Sequence, residues 1–415
     1  MVTRFLFLLA FLVPVPVFAE TLLSESGGLS GALRAAMANN PSIIGKTAEV
    51  RAQGYTVDAT RAARLPALSV SANNINEEFD DQGTVRINQP IYAFGKINRS
   101  IRVAEAGYSV EQWDLLRVQR DLIRQTAVAY TRIGGVLERA RVAEQNIEEH
   151  ERLYERIERR QQGQLASEAD AVLANSRLIQ SRALRDQLAG ELAVAEAELR
   201  ALTLEAVGAH VPVPANLVEM PEAAVLRSRA LTASADMGLA RMRTAEVRET
   251  LAREKVDALP TVFLRAEHDF LDQRFNQDPT RVGVALEANV DGMGFATRGR
   301  IRSVAERLTA AEQQLAVTRE DVRRQVDILI ANRDTQGQLI EAQQRAIDAV
   351  ERTLESFVRQ YETGRKSWVD VLNTQRELTN LRVEMVNFET NRLGFSLELQ
   401  ALTGGLDVLA DIEQP

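Results

Sequence analysis

The chain of 415 residues contains no cysteine, only three histidines and few aromatic residues (5% Phe, Trp and Tyr). Without cysteine there is no disulfide framework, no thiolate metal site and no lipid-bearing N-terminal cysteine after processing. The histidines, His150, His210 and His268, are far apart and fall in different elements. No ligand pair at helical spacing exists, and solvated surface histidines are expected. Gly294-x-x-x-x-Gly299-Arg300 lacks the lysine and following hydroxyl of a phosphate loop and is expected to be a strand-to-helix turn. Acidic pairs such as Glu148-Glu149 lie on charged helical faces. No catalytic constellation and no cofactor site emerges, so the expectation is a protein that is not an enzyme. Lysine and arginine (50) are outnumbered by aspartate and glutamate (58), giving a net charge of −8. A nucleic-acid partner is therefore excluded.

The one long apolar run is at the start: Arg4 is followed by an apolar core over 5–17, and Val17-Phe18-Ala19 offers small residues for cleavage before Glu20. This reads as a signal peptide over 1–19, too short to span a bilayer as a helix, for which about 20 residues are needed. Prolines are also scarce, and their positions leave two long proline-free runs, 91–211 and 280–414. Because proline breaks helices, and because both runs are rich in Ala, Leu, Glu, Gln and Arg with apolar residues three and four apart, each run is expected to hold long packed helices. The segment 94–161 would be roughly 100 Å long as one helix.

Two copies of one plan follow each other. Glu198-Leu199-Arg200-Ala201-Leu202-Thr203 returns two hundred residues later as Glu398-Leu399-Gln400-Ala401-Leu402-Thr403, and Ser167 and Asp170 return as Ser367 and Asp370. Leu65-Pro66 matches Leu259-Pro260, and Ile101-Arg102 matches Ile301-Arg302. After each Leu-Pro the pattern alternates: Leu68, Val70, Ala72 and then Val85, Ile87, Ile91 in the first half; Val262, Leu264, Ala266 and then Val282, Val284, Leu286, Ala288, Val290 in the second. Period two predicts one β-hairpin per half, with polar loops at 73–84 and 271–280 and strands about 10 residues long, as tilted membrane strands are. Four strands make either a small soluble sheet or a share of a larger barrel, because the smallest membrane barrels need about eight. Gly163 and Gly364 are the expected helix turning points, since glycine takes the left-handed conformation that ends helices. The expected organisation is a first repeat over 20–210 with its hairpin near 66–93, a linker at 211–221, a second repeat over 222–405 with its hairpin near 260–292, and a tail at 406–415.

Taken in order, Ala32-Leu33, Asn39-Asn40-Pro41, the two Leu-Pro steps, Gln89-Pro90-Ile91 with Phe94-Gly95, and Tyr361-x-x-Gly364-x-x-Ser367-x-x-Asp370-Val371-Leu372 resemble the TolC-like family of outer-membrane efflux and secretion proteins. The resemblance spans nearly all of the chain after residue 19. It implies a mainly α fold with a small β part: a homotrimer forming an α-helical barrel in the periplasm, continued by a shared 12-stranded transmembrane β-barrel in the outer membrane. It also implies a passive exit duct joined by a periplasmic adaptor protein to an inner-membrane pump, driven by ATP or by protons.

Family members constrict at the periplasmic turns. Carried over, the resemblance makes Asp370 the pore-ring residue, with Asn373 where some relatives have a second acidic ring. Tyr361 and Lys366 would face Asp170. Asp370 alternatively just starts the returning helix, where a carboxylate favours the dipole. Gly163 and Gly364 mark the turns where the adaptor would dock. Trp368 is either an adaptor contact or packed core. Tyr92, Phe94, Phe263, Phe270 and Phe295 are either interfacial girdles or inter-chain packing. The turn sequence 364–373 looks more like type I secretion ducts, which export large unfolded proteins of the adhesin or RTX-like kind, than like small-molecule efflux ducts, the second reading. A soluble periplasmic coiled-coil adaptor is a remote third, disfavoured by the two equivalent halves.

Overall fold

The computed structural model describes residues 28–74, 81–206, 210–270, 279–289 and 291–415. The expected signal peptide, most of the second hairpin loop and Val290 lie outside the described residues. Two short helices open the described chain, α1 (Leu29–Asn39) and α2 (Pro41–Arg61). Asn40 separates them: it is extended, its side chain accepts from the Ser42 amide, and Pro41 sits at the first helical position, where a missing N–H costs nothing. Strands β1 (Ala67–Asn74) and β2 (Asp81–Tyr92) follow, then α3 (Lys96–Gln162) and α4 (Glu168–Thr203). The plan then repeats with α5 (Ala223–Ala233), α6 (Ala235–Asp257), β3 (Thr261–Asp269), β4 (Thr280–Glu287), α7 (Phe295–Glu362) and α8 (Trp368–Thr403).

The two halves correspond closely. Helices α3 and α7 hold 67 and 68 residues, and α4 and α8 hold 36 each. At 1.5 Å per residue the long pair reach roughly 100 Å, far beyond what a globular core supports. They are stabilised by lateral packing: α4 returns along α3, α8 returns along α7, and α3 also packs on α6 and α8. The widest core joins Leu29, Ala32 and Leu33 of α1 to Ile123, Ala127 and Tyr130 of α3, Ala195 and Leu199 of α4, and Leu397 and Ala401 of α8.

The four strands form one antiparallel sheet in the order β1-β2-β3-β4. Register explains the alternation in the sequence. Leu68, Ile87, Ala266 and Val282 lie in one row across all four strands, and Gln89, Leu264 and Val284 in another, so one face is mostly apolar, with Gln89 and the bonded pair His268–Thr280 its polar exceptions. The opposite face carries Ser69, Arg86, Glu267 and Arg281 in a row, laced by Arg86–Glu267 and Arg281–Asp269 ion pairs. Strand β2 starts at Asp81, inside the segment expected to be loop, because it pairs with the whole length of both neighbours. Strands β1 and β4 are the open edges. In lipid such edges would have to be paired with further strands.

Candidate functional site

The end of the molecule remote from the sheet contains two helical turns built alike. After α3, residues 163–167 turn the chain into α4; after α7, residues 363–367 turn it into α8. Ser167 and Ser367 are the N-caps, and each forms a capping box with the aspartate three residues on. The Asp170 amide donates to Ser167 Oγ at 3.1 Å and the Ser167 amide to Asp170 Oδ2 at 3.3 Å; the second turn repeats this at 3.2 and 3.4 Å. Such reciprocal bonds satisfy two otherwise orphaned N–H groups and place a carboxylate against the positive end of each helix. Asp170 and Asp370 therefore both serve as helix-start residues.

Gly364 takes the left-handed conformation, with φ of 73°, but Gly163 does not: its φ is −82°, and Gln164 carries the left-handed backbone at φ 60°. The capping boxes fix the register, so position 164 is the counterpart of 364, and the expected turning residue shifts by one. In both turns the following amide closes the helix, Leu165 N to Arg160 O and Arg365 N to Gln360 O.

Inward from the turns, Leu153 and Ile157 of α3, Ala174 of α4, Tyr361 of α7 and Trp368, Val371 and Leu372 of α8 form one buried cluster, so both hairpins meet in it. Trp368 is 2% exposed and packs its ring 4.9 Å from that of Tyr361. Of the two readings of Trp368, adaptor contact or packed core, this burial matches the packed core. Arg160 lies over the Tyr361 ring at 5.0 Å, and burial raises the Tyr361 phenol pKa, with Arg160 opposing and nearby Asp170 adding to the shift.

Lys366, expected to face Asp170, has a different partner within the protomer among the described residues. It pairs with Asp370 at 3.4 Å, four residues on, and lies 4.1 Å from the Phe357 ring centre. The Ser367 hydroxyl bond and then Lys366 hold the Asp370 carboxyl below its usual range, and its side chain keeps 41% exposure. Asn373, one turn further along α8, is exposed. Sequence reading missed the cross-hairpin pair Arg156–Glu362, at 3.2 Å, since nothing local links residues 206 positions apart.

Behind the cluster sits a buried polar seam. Asn146 of α3 donates to Ser181 of α4 at 2.9 Å and accepts from Thr379 of α8 at 2.6 Å. One turn on, His150 is 4% exposed with Nδ1 unpartnered, and burial first, then Arg177, lowers its pKa to about 4. This overturns the expectation of a surface histidine. His210 is likewise half-buried, its ring 4.6 Å from Tyr130, while His268 is exposed on the sheet. Among the described residues, no group of three or more His, Asp or Glu is placed to hold a metal ion.

Comparison with known proteins gives one consistent result. A family model described as "Outer membrane efflux protein" matches residues 32–203 and 226–405. The chain is 22% identical to Outer membrane protein TolC of Escherichia coli (strain K12), over 96% of this chain and 87% of that protein. Among solved structures, CusC superposes with a TM-score of 0.78 at 16% identity, covering 90% of this chain and 91% of that one. The open-state MtrE channel of Neisseria gonorrhoeae gives 0.72 at 15%, covering 91% and 89%.

Proposed function

The chain belongs to the outer membrane efflux protein family, a family of non-enzymatic outer-membrane channels that extend into the periplasm, and from that membership we propose the following assembly and mechanism. Two repeats, 20–210 and 222–405 joined by 211–221, form one protomer. Three protomers close their open sheet edges into a barrel of twelve strands, apolar face to lipid and charged face to the lumen. Their long helices continue the wall as a periplasmic tunnel. A periplasmic adaptor docks at the two turns, and an inner-membrane pump supplies the energy.

The observation that carries this reading is the polarity of the molecule: a sheet with one apolar face at one end and two identically capped helical turns at the other. Asp370 and Asn373 project from neighbouring turns of α8 at the turn end, and three copies of Asp370 around one axis would form an anionic ring that favours cations. In this structure Lys366 pairs with Asp370 on the same turn and partly neutralises each carboxylate. Arg156–Glu362 and Arg160 over Tyr361 tie the two hairpins together and are the contacts to be broken when the turns separate. Ion selectivity in planar bilayers tests this. Asp370→Asn is expected to reduce cation preference, and an unchanged reversal potential under a salt gradient would refute the ring.

For cargo, polypeptide export of the type I kind is the first reading, supported by the turn sequence from Gly364 to Asn373. Small-molecule efflux is the second, favoured by the description of the matching family. Co-expression with a secretion pump and its adaptor, scored for released polypeptide against drug tolerance, separates them.

A further inference from the structure

At the step from β2 into α3, a notch of about 210 Å³ opens beside the apolar face of the sheet, lined by Arg64, Pro90, Ile91, Tyr92, Gly95 and Asn98 among others. Several features fix its position. Gln89, whose row contains Leu264 and Val284, donates its side-chain amide to the Arg64 carbonyl at 2.9 Å, which holds the Arg64 segment against the apolar face. The register shift between Pro90 and Tyr92 sets Tyr92 opposite Val262 on that same face. Ile91 and Tyr92 are 59% and 58% exposed, and the Tyr92 ring meets Phe94 edge-on at 4.6 Å. The notch thus continues the lipid-facing surface at its periplasmic rim, the level where aromatic rings and cationic side chains meet headgroups.

Its charge is uncompensated. The Arg64 guanidinium donates to the neutral Asn98 Oδ1 at 2.9 Å and, among the described residues, pairs with no carboxylate. At the equivalent step of the second half the situation is reversed: Arg300 lies 3.6 Å from Glu254 and 3.9 Å from Asp257. Residue 258, just before Leu259-Pro260, is alanine where 64 is arginine. Among the described residues, the notch of the first repeat thus holds an arginine bonded to a neutral amide and to no carboxylate, and the second repeat has alanine at the position of that arginine.

We infer that this notch binds the headgroup phosphate of an anionic phospholipid from the periplasmic leaflet, one lipid per protomer. Arg64 takes the phosphate through its planar N–H fork, and Ile91 and Tyr92 flank the upper acyl chains. The inference rests on the barrel reading above, since it needs the apolar face to meet lipid.

The test is native mass spectrometry of detergent-extracted, delipidated protein titrated with dioctanoyl-phosphatidylglycerol, dioctanoyl-phosphatidylcholine or inorganic phosphate. Phosphatidylglycerol is expected to add up to one per protomer, at least tenfold more tightly than phosphatidylcholine, with no effect of inorganic phosphate at the same concentration. Arg64→Gln is expected to lose that preference tenfold or more, whereas Arg51→Gln, on the exposed surface of α2, retains it. Equal retention by Arg64→Gln, equal binding of phosphatidylcholine, or displacement by inorganic phosphate would overturn the site. The same spectra report the oligomer mass, so a failed trimer and a failed lipid site give different results. Heat-modifiable mobility of each variant checks that it has folded.

Discussion

Replacing Asp407 with asparagine leaves Arg120 buried with its charge unmatched. Arg120 and Asp407 are 5% and 6% exposed, and the arginine meets both carboxylate oxygens, through Nε at 3.2 Å and Nη2 at 2.7 Å. Its remaining nitrogen donates to the Ala233 carbonyl at the α5–α6 junction. One guanidinium thus ties α3, that junction and the C-terminal 3-10 turn Asp407–Ala410 together. Breaking a buried pair by removing one partner costs about 3–5 kcal/mol, because the remaining ion cannot regain its hydration. At about 1.4 kcal/mol per factor of ten, local opening of the C-terminal segment should rise by roughly a hundredfold or more. Amide hydrogen exchange reads this directly at Leu409 and Ile412, whose amides donate to Leu406 and Asp407 carbonyls. Arg120→Met combined with Asp407→Leu should recover much of the protection, since an apolar pair of similar volume needs no charge compensation. Protection within about threefold of wild type in Asp407→Asn would show that the pair does not hold this segment and would refute the reasoning.

Other outcomes follow from the same geometry. Gln164→Gly removes a left-handed side-chain conformation and should stabilise the α3–α4 turn by about 1 kcal/mol, read as slower exchange of the Leu165 amide. His150 is held neutral in the fold with a pKa of about 4 against 6.5 unfolded, so the stability it confers is complete above 6.5 and falls as pH drops toward 4. The loss is about 3 kcal/mol by pH 4, and His150→Leu should flatten the stability curve of the helical region across that interval. Val282→Arg, on the apolar face, should cost about 2–4 kcal/mol and lower the yield of heat-stable assembly, whereas Ser71→Arg on the opposite face should not. Asp370 also has its pKa depressed, by the Ser367 hydroxyl bond and then by Lys366, which favour its charged form. Its stabilising effect is present above the ordinary carboxylate range and lost as pH falls through the lowered value, so exchange at the Asp370 amide should quicken only in strong acid.

The duplicated plan was legible because its signals are local and repeat. Proline gaps delimit α3 and α7, and the alternation of Val282, Val284 and Leu286 follows from a sheet with one apolar face. The extent of β2 was not, since Gly83 and Thr84 carry no strand signal and are held by pairing with β1 and β3. At the turns, glycine's conformational freedom pointed to Gly163, but the Ser167–Asp170 box sets the register and forces Gln164 into the left-handed region. Lys366 was expected to face Asp170; it lies in the turn just before the Ser367 cap, which brings it to Asp370 in the first turn of α8. Trp368 and His150 could not be placed from sequence, because their burial depends on α3, α4, α7 and α8 converging at one point.

The central claim, three protomers sharing one barrel, is tested most directly by covalent linkage between sheet edges. The chain has no cysteine, so engineered thiols have no background. A cysteine at Ser69 on β1 is combined in turn with one at Arg281, Gly283 or Ala285 on β4, all on the charged face. Oxidation of outer-membrane fractions should give, for at least one pair, a ladder ending at the trimer that collapses to monomer on reduction. Monomer alone in every pair, or a ladder running past the trimer, would contradict the account.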